Sequence, residues 1–343
     1  KHAANMRVVQ TQQGELYHFP VTIAITQNNG KVVRFVKEIG EKEHRFEFKL
    51  TQEPKNMVFD SEYAVLKITN VNKPRTMWHY QLKNDENIVH RMAAAYELAK
   101  YASEGDLKAL EEAMLSDAFW GVRGEIALAL GSTKLPQAMD IILHAAEKER
   151  NHRVQRAMIQ SLSNCPIPET REFLLRQMKR EDSYIIPAEA FRSFGKWKDP
   201  RELEILSMGL QRDSWAQIIA SGAIDGIGAM QTHEAMQKLL SLLHPKYNDR
   251  IRMTAARNLG QVGKGREEVM WKLIEITKDP YINLQISAIN ALGELGDMRA
   301  IPTLEEMQKG HRDPRIPRSA LEAIRKINGV LELPKFEVKK ENK

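Results

Sequence analysis

The chain has 343 residues, a formal net charge of +6, a sequence pI near 9.2 and one cysteine, Cys165. That length exceeds one ordinary core, a lone cysteine cannot form an internal disulfide, and no apolar run of about 18 residues marks a transmembrane segment, so a multidomain or elongated chain in a cytoplasmic setting is favoured. Residues 76–330 carry 35 Lys and Arg against 34 Asp and Glu, and this near-neutral stretch argues against nucleic acid as the partner, because a phosphate backbone needs concentrated positive charge.

The first residue is Lys1 with no basic-then-apolar leader, which reads as the start of a fragment. From residue 15 the pattern is that of strands. In ELYHFPVTIAIT, Tyr17, Phe19, Val21, Ile23 and Ile25 alternate with more polar or smaller residues, and Pro20 calls for an edge or a bulge. Asn28 to Gly30 supplies a turn before KVVRFVKEI, which predicts a hairpin. HRFEFKL, NMVFD and YAVLKIT complete five short antiparallel strands, a small β-sandwich over 1–75. Residues 76–87 read as a connector, packed down by Trp78 and Tyr80.

From residue 88 to 330 the pattern is helical and repetitive. Val89, Val122, Val154, Ile186, Ile219, Ile251, Leu284 and Ile316 recur at spacings of 32 or 33. Alanine fills six of the eight positions four residues later, and all repeats but the first, which has Glu97, carry a large apolar residue eight later. Glycine at 131, 195, 228, 260 and 293 suggests helix ends through left-handed caps. A second amphipathic helix lies between successive anchors, as in PQAMDIILHAAEKE, so the array is expected to hold about eight antiparallel helix pairs. The fold class is therefore multidomain, all-β plus all-α: a small antiparallel β-sandwich followed by an α-α superhelix. Residues 331–343 read as a frayed tail.

Motifs with chemistry are few. HEAMQ (His233 to Gln237) lacks the second histidine of a zinc-protease helix and reads as the first turns of a packing helix. Cys165 sits in a loop, and GQVGKGRE lacks phosphate-loop spacing. No catalytic, cofactor-binding or metal-ligating residue is expected in this chain.

The stretches DAFWGVRGEIALALG, DRIRMTAARNLGQVG and DPYINLQISAINALGELG resemble HEAT repeats. That resemblance implies a ladder of ion pairs, with Asp117 and Arg123, Asp249 and Arg252, and Asp313 with Arg315 or Arg318 as partners, while Asp279 lacks a matching base. The order of modules, ELYHFPVTIAI and FDSEYAVLKI joined by WHYQL to ENIVHRMAAAYELAK, resembles the C-terminal half of aminopeptidase N-like zinc metallopeptidases. The resemblance implies a non-catalytic segment that supports and caps the cleft of an upstream catalytic domain of the same polypeptide, with zinc held in that domain. This chain would then be inactive alone. Peptides, or a protein partner, would meet the concave face, with Arg91, Arg123, Arg156, Arg252 and Arg318 as possible peptide contacts. A HEAT scaffold with no peptidase attached is the alternative, since one general transcription factor subunit resembles these enzymes but lacks their chemistry. A nucleic-acid-binding HEAT-like protein is the third.

Overall fold

The computed structural model of the chain describes residues 2–329; the tail expected over 331–343 lies outside them. It holds a small antiparallel β unit followed by sixteen α-helices among the described residues, a HEAT-like helical solenoid in class. The chain divides into two compact units, 1–149 and 150–343.

Five strands form two sheets. β1 (His2–Val9) pairs with β4 (Glu43–Leu50), and β2 (Phe19–Gln27) lies between β3 (Val32–Ile39) and β5 (Pro54–Phe59). Ala4, Phe48 and Leu50 from one sheet and Val21, Ile23, Ile25 and Ile39 from the other share one buried core. The β2–β3 turn forms as expected, with Gly30 at φ 82° and its amide donating to the Gln27 carbonyl. β2 is the central strand, but its pairing with β5 begins only at Ile23, so Pro20 has no β5 neighbour to disappoint.

Two strand expectations need correction. β1 went unread because its inward face is Ala4, Met6 and Val8, and only Val8 has the β-branched or aromatic signature of a strand. YAVLKIT, which alternates well, is not a strand. The Asp60 carboxylate accepts hydrogen bonds from the amides of Ala64 and Val65 and pairs with Lys67. Amides bound to a side chain are withdrawn from any ladder. The backbone is also left-handed at Asp60 and Tyr63.

The segment expected as a connector over 76–87 contains a helix, α1 (Arg75–Asn84), with Trp78 buried. It is followed in the first unit by α2 (Ile88–Ala99), α3 (Glu104–Ser116), α4 (Trp120–Thr133) and α5 (Pro136–Lys148). The second unit holds α6 (His152–Leu162), α7 (Pro168–Met178), α8 (Ile185–Gly195), α9 (Leu203–Met208), α10 (Ile218–Met230), α11 (His233–Ser241), α12 (Asp249–Val262), α13 (Glu267–Ile276), α14 (Ile282–Leu295), α15 (Ile301–Lys309) and α16 (Arg315–Ile327). Seven anchors, Val122 through Ile316, are buried on the even-numbered helices. Each contributes roughly 1.5–3 kcal/mol by leaving water.

The first repeat is read one residue early. Val89 is exposed, whereas His90, Ala94 and Leu98 are buried. Shifting the frame by one keeps the spacing to Val122 within the period, at 32, and puts Leu98 in the apolar position that Glu97 had seemed to break. A histidine stands at the anchor because Asp85 Oδ1 lies 3.0 Å from its Nδ1.

The repeated glycines also differ from expectation. Gly131, Gly228, Gly260 and Gly293 lie inside their helices, and Gly195 closes α8; none has a positive φ. In the second unit they lie where the next even-numbered helix crosses. A Cβ on Gly195 would fall 1.9 Å from the Gly226 carbonyl oxygen, on Gly228 2.2 Å from Asn258 Oδ1, on Gly260 2.8 Å from the Ala291 Cα and on Gly293 3.0 Å from the Ala323 Cα. Glycine is required by proximity rather than by a turn.

Candidate functional site

Two polar systems run along the even-numbered helices, and they differ in access to solvent. The first occupies the position after each anchor. Arg91 on α2 grips Asp117 with both arms, at 2.7 and 3.0 Å, and donates to the Asp85 carbonyl. Arg123 on α4 does the same with Glu149 at 2.9 and 3.3 Å and with the Asp117 carbonyl. In the second unit Arg252 on α12 pairs with Asp279 and Asp249 and donates to the Leu243 carbonyl. Gln285 on α14 donates to the Asp279 carbonyl. Each of these side chains therefore fastens a loop, and the arginines also bind a carboxylate. Such two-armed, part-buried contacts are the stronger kind.

This geometry revises the expected ladder. Arg123 meets the carbonyl of Asp117, not its carboxylate, which belongs to Arg91. Asp279, expected to lack a base, is held by Arg252. The Asp249–Arg252 and Asp313–Arg315 pairs form, whereas Arg318 pairs with Glu322 one turn along. Where Pro187 and Ala220 occupy the ladder position, Arg212 reaches back from the loop before α10 to the carbonyls of Met178 and Arg180. Arg212 had no sequence signal beyond its charge, because its partners are backbone atoms more than 30 residues away.

The second system is a charged stripe on the solvent side of α6, α8, α10 and α12. Arg156 Nε lies 2.9 Å from Glu189 Oε2, Arg192 links Glu189 at 3.3 Å to Asp225 at 2.9 Å, and Arg257 reaches Asp225 at 2.6 Å. Asn258 also donates to Asp225. Three arginines share two carboxylates, so the stripe keeps a net positive charge. An open groove of about 370 Å³ adjoins its end, lined by Arg250, Arg257, Gln261, Ser287, Asn290 and Glu294 among others. In the first unit the corresponding face carries Tyr96, whose hydroxyl donates to Glu125 at 2.6 Å. Burial and that carboxylate push the phenol up to about 12.

The five arginines singled out from sequence thus occupy two settings. The side chains of Arg91, Arg123 and Arg252 are 14%, 17% and 6% exposed and fasten loops, while Arg156 and Arg318 are 53% and 83% exposed. Arg192 and Arg257 were missed, although their spacing from Asp225 places them on neighbouring helices. HEAMQ opens α11: Thr232 caps the helix by accepting from the Ala235 amide, and Gln237 donates to Glu268. Among the described residues no three His, Cys, Asp or Glu side chains gather to hold a metal ion. Cys165 lies in the loop before α7, and no described helix is long and apolar enough to cross a membrane.

The family model described as HEAT repeats matches residues 77–163 and 270–337. No curated protein sequence matches the chain. Aminopeptidase A of Legionella pneumophila, solved in complex with aspartic acid, is similar in fold: TM-score 0.57 at 11% identity, over 94% of this chain and 47% of that one. The chain thus spans about half the length of that enzyme. Human deoxyhypusine hydroxylase, solved in complex with glycerol, aligns over 74% of this chain and 96% of its own at 15% identity, with a TM-score of only 0.34.

Proposed function

We propose that this chain is the non-catalytic C-terminal segment of a zinc-dependent aminopeptidase, supporting and capping the peptide cleft of an upstream catalytic domain. The observation that carries the proposal is the single alignment that runs through the β unit and the helical repeats alike, across 94% of the chain. Helical repeats by themselves bring other folds into register; a β unit placed immediately before them narrows the choice. In such an enzyme zinc supplies a polarised carbonyl and an activated water, both outside this chain. The part assigned here is to hold and close. The stripe of Arg156, Arg192 and Arg257 offers charged groups to a peptide without dismantling the loop ladder.

The second reading is a protein-binding HEAT scaffold, and the same solvent-facing stripe favours it. The two part on the mass of the native polypeptide in its source cells, measured with an antibody to this chain and N-terminal peptide mapping. A product much larger than this chain, with an H-E-x-x-H helix upstream, is expected. A product that starts near Lys1 would overturn the peptidase reading and leave the scaffold. The isolated chain is expected to bind no stoichiometric zinc and to hydrolyse no aminoacyl amide, checked by metal analysis and a fluorogenic assay.

A further inference from the structure

A cavity of about 440 Å³ lies in the first unit, walled by β5, the coil of residues 63–73 and helices α1 and α2. Phe59, Val65, Leu66 and Trp78 make much of the wall apolar. Its charged wall residues are Lys67 and Lys73, and no carboxylate lines it. Lys67 already has Asp60 as a counter-ion.

Lys73 has none. Its ammonium donates to Asn56 Oδ1 at 2.7 Å, to the Met57 carbonyl at 3.1 Å and to Gln81 Oε1, all neutral acceptors, and lies 4.0 Å from the Trp78 ring centre. Burial pulls this amine down to about 7, against a smaller upward pull from Asp85. A half-buried cation hydrogen-bonded only to neutral groups lacks a close counter-charge, which an entering anion would supply.

His90 supplies the second, independent observation. It is 5% exposed, its Nδ1 faces Asp85 at 3.0 Å, its ring stacks on Tyr63, and its buried Nε2 has no partner among the described residues. Gln81 joins the two groups, accepting from Lys73 through Oε1 and donating to the His90 carbonyl through Nε2. Buried polar atoms without a partner are rare enough to require an explanation.

We propose that this cavity binds a small carboxylic acid with an apolar or aromatic body, its carboxylate received by Lys73 beside the unpartnered edge of the His90 ring. Asp85 holds the ring at Nδ1 from the other side, and the apolar wall takes the body of the ligand. The site is independent of the aminopeptidase reading, since every wall residue lies within the first unit.

The test titrates the full 343-residue chain with phenylpropionate by calorimetry, while ring-nitrogen NMR follows His90. Phenylpropionamide and phenethylamine serve as charge controls. Saturable one-to-one binding of the acid is expected, with a shift at the His90 Nε2 and an amide weaker by about tenfold or more. Lys73→Met should erase the preference for acid over amide. Ala93→Leu, which fills the wall from α2 without altering a polar group, should weaken both and remains decisive if Lys73→Met fails to fold. No saturable binding, preference for the amine, or binding that neither folded variant changes would overturn the proposal.

Discussion

Replacing Gly195 by alanine tests the contact between α8 and α10 most directly. The new Cβ would lie 1.9 Å from the Gly226 carbonyl oxygen, where ordinary contacts begin at 3.4 Å. The obstructing atom is backbone and cannot rotate aside, so the helices must part by more than an ångström. Gly222 and Gly226 on α10 make similar approaches, 2.5 Å to the Ala188 carbonyl oxygen and 2.4 Å to that of Phe191. Overpacking costs about 1–3 kcal/mol, and the gain from alanine's better helix propensity, at most about 1 kcal/mol, is smaller at a helix terminus. A net loss of about 2 kcal/mol is therefore expected for Gly195→Ala in urea denaturation followed by circular dichroism. Gly105→Ala in α3, where the nearest atom is 3.9 Å away, should stay within about 0.5 kcal/mol of the parent. Hydrogen exchange should place the weakening in α8 and α10. Equal urea midpoints for Gly195→Ala and the parent would refute the argument that glycine is retained there for close approach.

The remaining predictions concern charge. Asp106 is buried at the start of α3; burial raises its carboxyl, but hydrogen bonds from Arg75, from the Ser103 side chain and backbone, and from His79 outweigh this and hold it at about 2, against an ordinary value of 3.8. A lowered carboxyl favours the folded state above its unfolded value, so Asp106→Asn should cost about 2 kcal/mol at neutral pH, a deficit that fades between pH 4 and about 2. An unchanged deficit at pH 2 in acid denaturation would contradict this. Arg252→Ala leaves Asp279 without its buried partner and should cost roughly 3 kcal/mol, whereas the more exposed Arg156→Ala should cost no more than about 1 kcal/mol. Urea midpoints of the two variants check the order, and equal losses would argue against a structural loop ladder distinct from the solvent-facing stripe.

The repeat length, the anchor residues and most of the strand pattern are local or periodic properties, and they were legible because burial of one helix face recurs at the same interval. The frame of the first repeat was not, because Val89 and His90 are adjacent and only the Asp85 contact makes histidine acceptable in the buried position. The loop arginines could be located but not their partners: Arg91, Arg123 and Arg252 each reach a carboxylate 26 or 27 residues further on, which depends on how neighbouring repeats stack. The Arg156–Glu189–Arg192–Asp225–Arg257 stripe was hidden for the same reason.

By itself the sequence determined that a short β region precedes a helical array with a period of 32 or 33 residues, since apolar spacing dictates which face of each element leaves water. Only the tertiary structure decided that the repeated glycines serve helix approach rather than helix ends, that YAVLKIT yields its amides to Asp60, and that Lys73 and His90 share a cavity wall. These outcomes depend on which atoms lie within a few ångströms across the fold, and chain spacing carries no direct record of that.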